Sequence, residues 1–155
     1  QAAEDGRTLV LSDGAPGIGC PVIASLGGVS LAVVVTEPTP SGLHDLERVA
    51  DLCRHFGVPV GVVVNKHDLH VGQTQAIVAA CDRKGLTLLG LLPHDAFVGL
   101  AMAHGRAVTE LPETPFSAGV RAIWPRVLEF MAARAQPRTL GVFGPSREQP
   151  GPAAP

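Results

Sequence analysis

The sequence predicts a doubly wound α/β fold built on a parallel sheet, and two observations predict it. Four short runs, Thr8 to Leu11, Leu31 to Val35, Val58 to Val64 and Leu86 to Leu92, are rich in Val and Leu and almost free of charge. Each is bounded by Gly, Pro, Asn or Asp, and near-continuous hydrophobicity is what a strand covered on both faces requires. Between the later runs lie longer stretches whose apolar residues recur at helical spacing. Strand and helix in alternation imply right-handed crossovers, a parallel sheet and helices on both of its faces.

Taken in order, the first run leads through Asp13 into the Gly/Pro-rich stretch DGAPGIGCP and then a helical segment. After the second run, Leu43, Leu46, Ala50, Cys53 and Phe56 mark a crossover helix. Ser41 before Gly42, with Asp45 in the first turn, is the expected N-terminal cap, and Gly57 followed by Pro59 ends the helix. Ala76, Ile77, Ala80 and Cys81 mark a second crossover. The stretch PHDAFVGLAMAHGRAV predicts a short helix and a turn at Gly105, and ETPFSAGVRAIWPRVLEFMAARA predicts a closing helix. Pro125 should kink that helix or divide it, and Trp124 should anchor it to the sheet. Pro and Gly dominate from Gln136 onward, which predicts a disordered tail over 135–155 behind a folded unit of 1–134.

Composition narrows the function. The chain has 155 residues, 46% hydrophobic and 17% charged, enough apolar surface for one core. A net charge of −2, with Lys and Arg unclustered, disfavours nucleic acid as a partner. No apolar run approaches the roughly 20 residues needed to span a bilayer, and residues 1–7 lack the pattern of a signal peptide, so a cytoplasmic location is expected. The three cysteines, Cys20, Cys53 and Cys81, are far apart and form no C-x-x-C pair, which argues against a disulfide framework. Of the six histidines only His67 and His70 are close in sequence, and with Asp68 alone beside them they make a poor metal site. The chain opens with Gln, with its apolar pattern starting almost at once, and is expected to be a fragment.

The loops after the strands carry the chemistry that such a fold supports. Asp13 at a strand end can hold a magnesium-bound water, while Gly14 and Gly17 let the backbone pass close to a phosphate. In VGVVVNKHDLH, Asn65, Lys66 and Asp68 follow directly on a buried strand. There the Asn can bond a purine edge, the Lys stem can lie along a base, and the Asp can accept from base donors. The four-residue segment from Asn65 to Asp68 also suits a plain turn that caps the next helix.

These motifs carry a family resemblance. The stretch from DGAPGIGCPVIASL through TEPTPSGLHDLERVADLCRHFGVPVGVVVNKHDL resembles the second half of the MinD/ParA superfamily ATPases, more narrowly the members with an inserted ferredoxin-like iron–sulfur domain. LLGLLPHDAFVGLAMAHGRAV is similar to the same family's loop of the form G-x-(I/L)-P-x-D followed by a helix and G-x-x-V. The resemblance runs from about Thr8 to Met131 and implies a P-loop ATPase that dimerises around nucleotide and drives partner switching or iron–sulfur or metallocentre assembly on a client protein. Carried over, Asp13 is the Walker B-like acid acting on Mg2+ through water, and Gly17 senses the γ-phosphate. Glu37 and Pro38 lie near the nucleotide, Asn65 contacts adenine with Asp68 beside it, and the loop from Pro93 to Asp95 closes over base or ribose.

The departure from the family pattern is that its KGGxGKT loop and the cluster cysteines of the insertion are absent from the sequence. The α/β sheet is therefore expected to be incomplete, with its N-terminal P-loop half missing. In this superfamily the P-loop strand lies between the Asp13 strand and the Leu31 to Val35 strand, so residues 1–155 alone are expected neither to hydrolyse ATP nor to fold well. Any 4Fe-4S cluster would belong to the upstream insertion. Two rivals stand beside this reading. Asn65-Lys66-x-Asp68 is also the guanine-reading motif of P-loop GTPases, although the usual D-x-x-G is replaced here by DGAPG. The chain could instead be a non-catalytic interaction module. Cys20, after GIG, is a candidate for a metal or cluster site at a dimer interface as well as for a buried structural thiol.

Overall fold

A computed structural model of the chain describes residues 9–14 and 19–134. Its order is α1 (Cys20–Ser25), β1 (Ala32–Thr36), α2 (Pro40–His55), β2 (Val60–Asn65), α3 (Val71–Lys84), β3 (Thr87–Leu92), α4 (Phe97–Ala103), a 3-10 turn (Val108–Glu110) and α5 (Pro115–Ala132). The three strands form one parallel sheet in the order β1-β2-β3. The α/β parallel architecture, incomplete as expected, is therefore present.

The middle strand shows why a continuous Val run was needed. Val62 and Val64 face a cluster with Leu46 and Cys53 of α2 and Ile77 and Cys81 of α3. Val63 points the other way, into a cluster with Leu89 and Leu92 of β3 and Val127 and Phe130 of α5. Because successive strand residues alternate faces, both faces must be apolar. Cys53 and Cys81 are free and buried, and burial pushes both thiols up in pKa. They are packing residues, as the sequence predicts.

Strand register is even between β1 and β2, from Ala32 opposite Val60 to Thr36 opposite Val64. Between β2 and β3 it shifts at Val62/Val63, so that Leu88 and Gly90 have partners and Leu89 lies between them. The Leu89 carbonyl accepts from Arg126 Nη1 of α5 at 3.0 Å. Beside it α5 comes so close that a Cβ on Gly90 would sit 2.6 Å from Ile123 Cγ1. A glycine is required at that crossing.

Four expectations are corrected. Leu9, Val10 and Leu11 form no strand, and Leu11 is 83% exposed; Thr8 lies outside the described residues. A strand exists only beside a ladder partner, and among the described residues β1 pairs with β2 alone, leaving its other edge open. The α2 helix starts earlier than expected. Thr39, not Ser41, is the N-cap, accepting from the Gly42 N–H at 2.9 Å, with Pro40 at the first helical position. Asp45 consequently falls beyond the first turn. Pro125 does not divide α5, which runs unbroken from Pro115 to Ala132. The proline lies on an exposed face, where water can satisfy the carbonyl it leaves unpaired. Trp124 is 43% exposed, and Ile123, Val127 and Phe130 anchor the helix instead. The short α4 helix and the Gly105 turn occur as expected. The tail of 135–155 lies outside the described residues.

Candidate functional site

The three loops that leave β1, β2 and β3 all emerge at the C-terminal end of the sheet, because all three strands run parallel. Glu37 and Pro38 follow β1, Asn65 to Asp68 close β2, and Pro93 to Asp95 follow β3. The register that sets Thr36 beside Val64 brings Glu37 level with the end of β2. There Glu37 Oε1 pairs with Lys66 Nζ at 2.7 Å. Both side chains are substantially exposed, so this is a modest ion pair that orients more than it stabilises.

The β2 loop is held in an unusual conformation. Lys66 has φ of 55°, the one described non-glycine residue in the left-handed region. Its backbone N–H donates to Asn65 Oδ1 at 3.0 Å, and its carbonyl accepts from the Leu69 N–H at 3.1 Å. The turn then anchors on its neighbours. The His67 N–H donates to the Leu92 carbonyl at 3.0 Å, and the buried Thr74 hydroxyl donates to the His67 carbonyl at 2.7 Å. His70 accepts from the Gln73 N–H at 3.2 Å through Nδ1, which caps α3. Thus one of the two close histidines has a structural task. Among the described residues no group of three or more His, Cys, Asp or Glu could hold a metal ion.

A second link ties this loop to the next. Asp68 Oδ1 accepts from the His94 backbone N–H at 2.7 Å. That hydrogen bond holds the Asp68 carboxyl below its ordinary pKa, against a smaller opposing effect of desolvation and with further help from Asp68's own backbone N–H and from His67 and His94. Asp95 Oδ1 in turn accepts from the Phe97 N–H at 2.8 Å at the start of α4. Its Oδ2 is buried without a hydrogen-bond partner in the protein. A carboxylate oxygen left in that state is a ready acceptor for a donor brought by a ligand. Beside it is a recess of about 390 Å³ whose wall includes Pro93, His94, Asp95, Phe97 and Thr114.

Asp13 is exposed and lies in no strand. Together with Gly14 it lines a broad groove of about 1010 Å³ against β1, a groove that also reaches Glu37, Ser41 and Asp45. Gly17 lies outside the described residues. Cys20 opens α1, and its side chain lies outside what the structure describes. The structure therefore brings Glu37, Asn65, Asp68, Pro93 and Asp95 to one end of the sheet, buries Pro38 beside them, and sets Asp13 in the adjoining groove. Sequence reasoning missed the Glu37–Lys66 pair and the Asp68–His94 bond. The first was discoverable by aligning the two Val runs, which places opposite charges just beyond neighbouring strand ends. The second had no side-chain signal, since its donor is a backbone amide.

Compared with known proteins, the chain matches no family model. It is 37% identical over 62 residues to an uncharacterised protein of Methanocaldococcus jannaschii, covering 40% of this chain and 22% of that protein. It is 28% identical over 110 residues to a cytosolic Fe-S cluster assembly factor, a Nubp1 homolog, of Drosophila willistoni, covering 63% and 35%. Among solved structures, the cell division ATPase MinD of Pyrococcus furiosus superposes with a TM-score of 0.70 at 21% identity, covering 83% of this chain and 55% of that one. The MinD cell division protein of Aquifex aeolicus superposes with a TM-score of 0.64 at 18% identity, covering 73% and 50%. The fold is accordingly that of a P-loop NTPase of the MinD type. By sequence the chain is similar, over part of its length, to the Nubp1 homolog named above. The chain spans about half the length of these MinD structures and between a fifth and about a third of these two sequence relatives.

Proposed function

We propose that the chain is the nucleotide-binding second half of a MinD-type ATPase, with hydrolysis depending on a P-loop outside residues 1–155. The observation that carries this reading is the convergence of three strand-end loops into one bonded cluster, in a fold whose ligands bind at the C-terminal ends of its strands. Asn65 contacts adenine from the β2 loop. Pro93 and Asp95 close over base or ribose, and the unpartnered Asp95 oxygen is suited to accept from an amino or hydroxyl group there. Glu37 and Pro38 bound the site on the β1 side. Asp13 holds Mg2+ through water, and Gly17 follows the γ-phosphate. When bound, Mg2+ supplies charge neutralisation on the phosphates.

The open face of β1 supports the same reading. Val33 and Val35 are 42% and 62% exposed beside Trp124, an apolar strip that the P-loop strand and its helix would cover. In the full-length protein we infer a cytoplasmic homodimer whose ATP cycle serves a metallocentre or iron–sulfur client, as the Fe-S cluster assembly role of the Nubp1 homolog suggests by analogy. Any 4Fe-4S cluster and a Cys20 interface site belong to that same inference. Among the described residues no helix is long and apolar enough to cross a membrane.

Labelled-ATP binding and hydrolysis by the full-length protein, with and without Mg2+, tests the proposal. Mg2+-dependent ATP hydrolysis that falls at least about a hundredfold on Asp13→Ala supports it. Full-length protein that lacks a Gly-Lys-Thr loop and binds no nucleotide contradicts it and leaves an interaction module.

A further inference from the structure

We propose that Asp68 is a positioning residue that locks the Pro93–Asp95 loop against the β2 loop, and that it does not read the base. The geometry behind this is specific. Asp68 follows a left-handed turn at Lys66 and places Oδ1 2.7 Å from the His94 N–H. His94 forms part of the wall of the 390 Å³ recess, so the Asp68 carboxylate acts on that wall through a backbone amide.

A carboxylate that reads guanine must turn two oxygens to the ring N1–H and the exocyclic amino group at once. Here Oδ1 is held by a protein amide in a short charge-assisted bond that turns the carboxylate toward the β3 loop. The neighbouring bonds reinforce the same clamp. The His67 N–H donates to the Leu92 carbonyl and the Thr74 hydroxyl to the His67 carbonyl, so the segment carrying Asp68 is fixed on both sides of the turn. What the clamp positions is Asp95, the next residue after His94, whose buried Oδ2 awaits a donor. The Asn-Lys-x-Asp spelling that marks a base reader in sequence serves in this structure as a brace between two loops.

The base-preference part of this inference rests on the nucleotide-binding reading above, and the bracing part does not. The test compares Asp68→Ala and Asp68→Asn in the full-length protein by two measurements. The first is residue-level amide hydrogen exchange without nucleotide. His94 should exchange at least about tenfold faster in Asp68→Ala, whereas Asp68→Asn, whose side-chain oxygen can still accept, should retain most of the protection. The second is equilibrium binding of ATP, GTP and xanthosine triphosphate. In both variants the ratio of ATP to GTP affinity should stay within about threefold of the parent, with no gain for xanthosine triphosphate, because discrimination follows only from groups that touch the base.

Unchanged His94 protection in Asp68→Ala would overturn the brace. A gain of xanthosine triphosphate binding in Asp68→Asn would show that residue 68 faces the base and overturn the inference by the other route. If Asp68→Ala fails to fold, Asp68→Asn still decides whether residue 68 reads the base, and Asp68→Leu, which keeps the shape without an acceptor, takes its place in the exchange measurement, with the same loss of His94 protection expected. Protein that binds no nucleotide at all but loses His94 protection in Asp68→Ala keeps the brace and sinks only the nucleotide reading.

Discussion

The two faces of the sheet are finished to different degrees. On one, α2 and α3 together cover β1 and β2, and Leu46, Cys53, Ile77 and Cys81 are sealed to 1% exposure or less. Asp51 of α2 ties the outer surfaces of these helices to each other through Lys84 at 2.9 Å. On the other face α5 covers β2 and β3, but Val33 and Val35 of β1 stay open to solvent next to Trp124. The difference teaches where the fold is self-sufficient. A face closes where two helices of residues 19–134 lie over it, and it stays open beside β1, where neither does.

The largest effect is expected in the sealed core. Ile77→Ala should destabilise the full-length protein by about 2–5 kcal/mol in urea unfolding, since the removed atoms leave a cavity with little room to collapse. A loss below about 1 kcal/mol would remove the contrast between the faces. Gly90→Ala comes next, at about 1–3 kcal/mol, because the new methyl meets Ile123 and forces α5 off the sheet. Val35→Lys sharpens the comparison more than it tests packing. If a further segment covers β1 in the whole protein, the buried charge should cost about 1–3 kcal/mol. If the strip is true surface, the cost should be only a few tenths of a kcal/mol.

The smallest effect is a pH dependence. Asp51 is held below its ordinary pKa first by the Lys84 hydrogen bond, and Asp68 by the His94 amide. A carboxylate depressed in the folded state binds fewer protons there than when unfolded. Its contribution is therefore complete above the ordinary carboxylate range and is lost as pH falls through the depressed value. Melting temperature should decline on acidification, and Asp51→Asn should flatten the acid limb without changing the order of the larger effects. A limb of unchanged slope in Asp51→Asn would show that this exposed pair contributes nothing.

Much of the fold was legible because it depends on composition that few alternatives tolerate. The runs from Leu31, Val58 and Leu86 became β1, β2 and β3 within two residues at each end, since continuous Val and Leu suit a strand buried on both sides. The run at Leu9 to Leu11 has the same composition but no strand beside it to complete its ladder, and propensity without a partner left it outside the sheet. The early start of α2 turned on whether Thr39 or Ser41 supplied the cap, a choice that Pro40 at the first helical position settles. At Pro125 the sequence left a kink or a division open, and α5 excludes the division, since the penalty of an internal proline depends on exposure, which sequence does not state. At the site, the residue types were readable and their pairing was not. Asp68 was visible as a carboxylate after a buried strand, but its partner is the His94 backbone, so the clamp existed only once the topology placed β3 beside β2.

The central claim is that the loops at Asn65–Asp68 and Pro93–Asp95 enclose an adenine ring. Photoaffinity labelling of the full-length protein with 8-azido-ATP, followed by peptide mapping, tests it most directly. Label confined to peptides spanning residues 65–68 and 93–97, and competed by unlabelled ATP, is the predicted result. Competable label elsewhere in the protein, with none on those two loops, would contradict it.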